Sequence, residues 1–263
     1  MSQLSEAAVL EALRAVKDPD LHKDIVTLGF VKKVAIDGAR VSLVIELTTP
    51  ACPVKDLMRD QARAAVMALG AIQVDVEMTA QVRSVPRPEG NKMPVEGVKN
   101  IIAVGAGKGG VGKTTVAVNL AVALSRAGSR VALIDGDLYG PNVPMMLGLS
   151  AELGTNGSKI IPAERYGLQV VSMAFLTPDD APVIWRGPML HGAIQQFFRE
   201  VAWQDVDYLI IDMPPGTGDV ALSLSQSVPV AGAVLVSTPQ SVALADTRRA
   251  VAMYRKLNIP TIG

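Results

Sequence analysis

The chain is poor in several things at once. Its 263 residues include one cysteine, two histidines, two Trp, four Tyr and four Phe, and 25 Lys+Arg are balanced by 25 Asp+Glu. One cysteine closes no internal disulfide, and the N-terminal MSQLSEAAVLEALRAV carries acidic residues where a secretion signal has a basic start and an apolar core. A cytoplasmic location is the expectation. Net charge +0 and a pI near 6.7 supply no general drive toward nucleic acid or anionic lipid, so neither is expected as a partner. No apolar run approaches the roughly 18 residues of a spanning helix. The longest, Val228 to Val236, is interrupted by Pro229 and Gly232.

What remains is aliphatic. Apolar residues make up 49% of the chain, enough for a globular protein of this length to bury about three quarters of its unfolded surface. Val9, Leu13 and Val16 recur at helical spacing from Leu4 on, and Asp18-Pro19-Asp20 is expected to stop that helix. Two β-branched runs, Phe30 to Ile36 and Arg40 to Leu47, flank Asp37-Gly38, a hairpin signal. Met58, Ala62, Ala65, Val66 and Leu69 then mark one face of a second helix, with Gly70 placed to end it and Ile72 to Met78 as a further strand. Ser84 to Gly97, with prolines at 86, 88 and 94, reads as a linker. Beyond it continuous aliphatic runs (Ile101–Val104, Arg130–Ile134, Leu168–Met173, Tyr208–Ile211, Ala233–Val236) alternate with helical stretches, the pattern of an α/β parallel sheet covered on both faces. The expected organisation is a small α+β domain over 1–84, a linker over 85–98 and a P-loop domain over 99–263.

After the first of these runs stands Gly107-Lys108-Gly109-Gly110-Val111-Gly112-Lys113-Thr114-Thr115, which fits G-x-x-x-x-G-K-[ST] between a strand and a helix. Glycines let consecutive N–H groups curl around a phosphate, and the helix adds its positive N-terminal end. Lys113 suits the β/γ-phosphates of ATP and the Thr114 hydroxyl suits Mg²⁺. Asp135 and Asp137 close the second run and Asp212 the fourth, at carboxyl ends of strands where ligands of such sheets gather. Asp212 is placed to hold Mg²⁺, and Asp135 and Asp137 to reach the metal and the attacking water. A helix cap or turn role is the alternative for each aspartate. In Met213-Pro214-Pro215-Gly216-Thr217-Gly218-Asp219, the Gly216 N–H is placed to meet the γ-phosphate, making that loop a switch.

The second lysine, Lys108, makes the loop resemble the deviant Walker A motif of ATPases related to MinD, ParA, ArsA and the nitrogenase iron protein, which implies a homodimer whose Lys108 reaches the partner's nucleotide. Asp135–Asn142 (DGDLYGPN), Trp185-Arg186-Gly187-Pro188-Met189, Asp212–Asp219 and Ser237-Thr238-Pro239-Gln240 are similar to the Mrp/ApbC family of iron–sulfur cluster carrier ATPases. Asp18-Pro19-Asp20, Leu28-Gly29 and Thr48-Thr49-Pro50-Ala51-Cys52-Pro53 resemble the small iron–sulfur assembly domain that many such carriers have. The resemblance implies an Mg-ATPase that delivers clusters to apo iron–sulfur clients, with Lys108, Lys113 and Asp137 catalytic. It also implies a base-reading Asn and a C-x-x-C for a bridging [4Fe-4S] cluster beyond Gly263, so the chain is expected to be a piece of a longer carrier, the alternative being a variant that cannot hold a cluster in the usual way; either way it lacks the cluster ligands.

Cys52, the one thiol, is either a reactive or metal-binding residue at a helix start or a small buried apolar one. His22 and His191 read as structural or exposed, and the Met145-Met146 pair as filling core or dimer-interface gaps. Two other readings stand beside the carrier: a positioning ATPase whose nucleotide state controls attachment to DNA or membrane, and a scaffold with an idle ATPase.

Overall fold

The computed structural model describes residues 4–84, 92–137, 140–150, 153–176, 187–216 and 227–263. The chain divides into two compact units, Met1–Arg83 and Ser84–Gly263.

In the first unit, α1 (Glu6–Leu13) starts where the Ser5 side chain accepts the Ala8 N–H, an N-cap. The helix stops earlier than its apolar stripe suggests. Val16 lies beyond it yet is buried, because the Ile25 N–H bonds the Val16 carbonyl at 3.0 Å and folds the chain back on itself. Asp18 secures that return by accepting the Asp20 and Leu21 N–H groups at 2.9 and 2.8 Å. Strands β1 (Val31–Asp37) and β2 (Arg40–Leu47) form the expected hairpin, with Gly38 in the left-handed region at φ +59. Helix α2 (Lys55–Met67) buries Met58, Ala62 and Val66 and carries the chain to β3 (Gln73–Ala80), which pairs parallel to β2. The sheet order is β1-β2-β3.

The second unit is built on a six-stranded sheet. Its strands in chain order are β4 (Val98–Ala106), β5 (Val131–Asp135), β8 (Ala163–Arg165), β9 (Leu168–Ser172), β10 (Val206–Asp212) and β11 (Val230–Val236), and across the sheet the order is β11-β4-β10-β5-β9-β8. All pairings are parallel except the edge pair β8–β9. A separate hairpin of β6 (Gly154–Asn156) and β7 (Lys159–Ile161) joins them. The short strands β6, β7 and β8 have no alternating pattern and mostly exposed residues, so nothing in their hydrophobicity marks them.

Why the central runs are continuously apolar is visible along β5, where all five residues are buried. Val131 and Leu133 pack on one face with Ala117, Val118 and Ala121 of α3 (Lys113–Arg126) and with Val143 and Leu147 of α4 (Val143–Leu147). Ala132 and Ile134 face the other way, toward Ile194, Phe197 and Phe198 of α5 (Gly187–Glu200) and Tyr254 of α6 (Ser241–Lys256). A strand buried on both faces has no polar side to alternate with. Phe197, fully buried, anchors the α5 face. Phe197→Ala is expected to lower the unfolding free energy by about 3–5 kcal/mol, measured by urea denaturation followed through tryptophan fluorescence.

Candidate nucleotide site

Strands β4, β5, β9 and β10 deliver their carboxyl ends side by side, and the site is assembled there. From the end of β4 at Ala106 the chain turns through Gly107–Gly112 into α3. Gly110 and Gly112 lie at φ +78 and +90, a conformation that side-chain-bearing residues rarely adopt. Gly107 is required for a different reason: a Cβ there would overlap the backbone of Asp246 and Thr247 in α6. The loop rims a cavity of about 280 Å³ that also receives Lys113, Thr114, Thr115 and Asp137.

Lys113, at the first position of α3, is buried, and its Nζ lies 2.6 Å from Asp212 Oδ1 at the end of β10. The Thr114 hydroxyl donates to the other Asp212 oxygen, also at 2.6 Å. Asp137 Oδ2 stands 3.7 Å from the same ammonium. Burial pushes the Asp212 carboxyl up, and the Lys113 ammonium and Thr114 hydroxyl pull it back. Lys108 is exposed and forms no ion pair among the described residues.

Asp135 is arranged differently from the expectation that set it beside the metal. It is fully buried, with Oδ1 accepting the Asp137 N–H at 3.3 Å and Oδ2 accepting the Val143 N–H at 3.1 Å and the Ser172 hydroxyl at 3.0 Å. Both of its oxygens are therefore engaged by protein donors. Burial first, and the Asp212 charge second, push its carboxyl up to about 7, against the lowering effect of those three hydrogen bonds.

The remaining candidates sit as follows. Gly109, Gly110, Gly112 and Lys108 line the cavity, whereas Gly107 and Val111 shape the loop without facing it. The Gly216 N–H, expected to face phosphate, donates to the Ala106 carbonyl at 2.9 Å instead. Leu138, Tyr139, Trp185, Arg186, Thr217, Gly218, Asp219, the side chains of Gly187 to Met189 and of His191, and linker positions 85–91 lie outside the described residues. Asn142 and Pro215 also line the cavity. Both stand inside the motifs quoted above, but neither residue type announces phosphate chemistry. Ser172 carries no sequence signal either: it lies inside the run Leu168–Met173, and only the structure ends β9 there. The Met145-Met146 pair is not core: the side chains are 82% and 42% exposed. His22 is exposed on a left-handed turn at φ 54. In the first unit, half-buried Cys52 lines a separate cleft of about 340 Å³ with Asp18, Asp20, Thr48 and Thr49.

The family model for the NUBPL iron-transfer P-loop NTPase matches residues 97–263, and that for an iron–sulfur cluster assembly protein matches residues 6–79. The chain belongs to the NUBPL-type iron-transfer P-loop NTPase family. Among relatives of this NTPase, the iron-sulfur cluster carrier protein of Synechocystis sp. is 49% identical over 269 residues, spanning 99% of this chain and 75% of that one. The iron-sulfur cluster carrier protein of Escherichia coli is 39% identical over 276 residues, with 100% and 74% covered. The chloroplastic Fe-S cluster assembly factor HCF101 of Arabidopsis thaliana is 44% identical over 268 residues, with 100% and 50% covered. Among solved structures, a nucleotide-binding protein from Archaeoglobus fulgidus in complex with ADP superposes with a TM-score of 0.56 at 36% identity, covering 64% of this chain and 66% of that one. The fold of the NTPase is thus the mixed α/β P-loop fold. No described helix is long and apolar enough to cross a membrane.

A carboxyl whose folded value stands above its ordinary 3.8 is held protonated more firmly by the native state than by the unfolded chain. Its contribution to stability therefore falls as pH climbs from about 4 to about 7 and is constant above that. Asp135→Asn removes this dependence. Relative to the variant, the wild-type unit should lose up to about 4 kcal/mol of unfolding free energy across that window and nothing further above it. Urea titrations read by Trp185 and Trp203, both in the second unit, measure the difference.

Proposed function

We propose that this protein is a Mg²⁺-dependent ATPase acting as an iron–sulfur cluster carrier, closing as a nucleotide-dependent pair of identical subunits and delivering clusters to apo-proteins. The observation that carries the ATPase reading is the meeting of Lys113 and Thr114 on the two oxygens of Asp212, beside a glycine-lined cavity. In P-loop sites the lysine serves phosphate, while the hydroxyl and the strand-end carboxylate serve the metal. Here the ammonium of Lys113 already rests where a cation satisfies Asp212, so the donor set fits a divalent ion flanked by phosphate oxygens. Thr114 and Asp212 would hold Mg²⁺, whose charge offsets that of the phosphates.

When the triphosphate enters, Lys113 leaves Asp212 for the β/γ-phosphate oxygens, and the N–H groups of Gly109 to Thr115 surround them. Asp137, close to Lys113 and open to the cavity, orients the attacking water. Lys108 extends its exposed charge toward the nucleotide of the second subunit. Asp135 serves through Asp137 and Val143 rather than by touching the metal. Gly216 changes partner from Ala106 to the γ-phosphate if its loop follows nucleotide state.

The carrier reading is supported by family membership over both units and by relatives that bear carrier and assembly-factor names. The cluster is cargo, received and handed on. A cluster takes about four thiolates, so Cys52 is at most one contact to it. Cytoplasmic residence is part of the same proposal.

Steady-state ATP hydrolysis tests the site. Lys113→Ala and Asp137→Ala should lower kcat by about 100-fold or more, and Lys108→Ala should lower it while abolishing ATP-dependent dimers in light scattering. Equal rates in wild type and all three variants would overturn the mechanism.

A further inference from the structure

Three neighbouring strands finish level with one another at Asp212, Asp135 and Ser172. Asp135 is the register partner of Asp212 on one side and of Ser172 on the other, and none of the three is exposed to solvent. Asp212 belongs to the nucleotide site. Ser172 does not reach it, yet it is tied into the same row.

The Ser172 hydroxyl is held from both sides. Its oxygen accepts the Ala174 N–H at 3.1 Å, and its hydrogen goes to Asp135 Oδ2 at 3.0 Å. A hydroxyl has a single proton to give, and here it is directed at an oxygen of the buried Asp135 carboxyl. That carboxylate in turn holds two backbone groups with separate destinations. One is the N–H of Asp137, whose own side chain faces Lys113. The other is the N–H of Val143, the first residue of α4. Losing the Ser172 hydrogen bond would free the carboxylate to rotate away from one or both.

We propose that Ser172 is a positioning residue for ATP hydrolysis: it locks the orientation of Asp135, and through Asp135 sets where Asp137 stands relative to the attacking water. The inference rests on the ATPase reading above. It differs from a plain strand-end cap, in which Ser172 would serve only the Ala174 N–H and its loss would alter stability without selecting one kinetic constant.

The test compares wild type, Lys113→Ala, Ser172→Ala and Ser172→Thr in the full chain for kcat, KM for ATP, MgADP affinity by calorimetry, and thermal midpoint. Ser172→Ala should lower kcat by about 10-fold, the effect of one hydrogen bond to a charged group. KM and MgADP affinity should stay within about twofold, and Ser172→Thr, which keeps the hydroxyl, should restore most of the rate. Unchanged kcat in Ser172→Ala overturns the inference. So does a joint loss of kcat, nucleotide affinity and thermal midpoint that threonine does not rescue. A wild type no faster than Lys113→Ala overturns the ATPase reading itself, and the inference with it, whereas an active wild type matched by Ser172→Ala overturns the inference alone.

Discussion

The Asp212 carboxylate, at the end of β10, accepts at once from Lys113 and Thr114, which precede it by nearly a hundred residues. The central strands and the helix that follows the phosphate loop make that meeting possible. A buried carboxylate without partners would be driven to its neutral form, and a buried lysine likewise. Together, with a hydroxyl on the remaining oxygen, they form a charged centre that can exist inside the protein and can still be opened by a ligand richer in negative charge. The same balance would suit an NTPase, because phosphates would compete with the carboxylate for the ammonium and the carboxylate would then be open to a metal.

For the pair to meet, β4 and β10 have to be adjacent and in register, which the parallel pairing Asp212↔Val104 accomplishes. The helix that starts with Lys113 also has to lie close to the sheet. Small residues, Ala117 and Ala121, permit that approach. On the opposite side of the loop, Gly107 admits the backbone of α6, so the phosphate loop is wedged between two helices. Its glycines thus answer two separate demands, one from the ligand and one from packing. A neighbouring row runs outward from Asp212 through Asp135 to Ser172, its members register partners on adjacent strands.

Much of the architecture was legible because burial leaves a direct imprint on composition. A strand covered on both faces is uninterruptedly aliphatic, as β5 is, and a two-residue hairpin carries Asp37-Gly38. The ending of α1 was not legible: Val16 keeps helical spacing yet is buried by a chain reversal that Asp18 stabilises, and spacing alone cannot distinguish the two. The short strands β6 to β8 left no imprint because they bury little. At the site, residue types with a distinctive chemistry (glycines, Lys113, Thr114, the aspartates) stood out, whereas Asn142, Pro215 and Ser172 did not, being ordinary residues made relevant only by their neighbours.

The sequence by itself determined the class of fold, the phosphate loop and the family, since those depend on local pattern: glycine placement, hydrophobic period and the order of motifs along the chain. The tertiary structure alone decided what each carboxylate touches. Asp135 and Asp212 are indistinguishable as strand-end aspartates, but one faces Lys113 and Thr114 and the other faces Asp137, Val143 and Ser172. That division follows from strand order, because β10 lies between β4 and β5 and so receives the phosphate loop, while β5 lies one strand further out. No local pattern encodes which strand will stand next to which; only closing the sheet assigns each acid its partners.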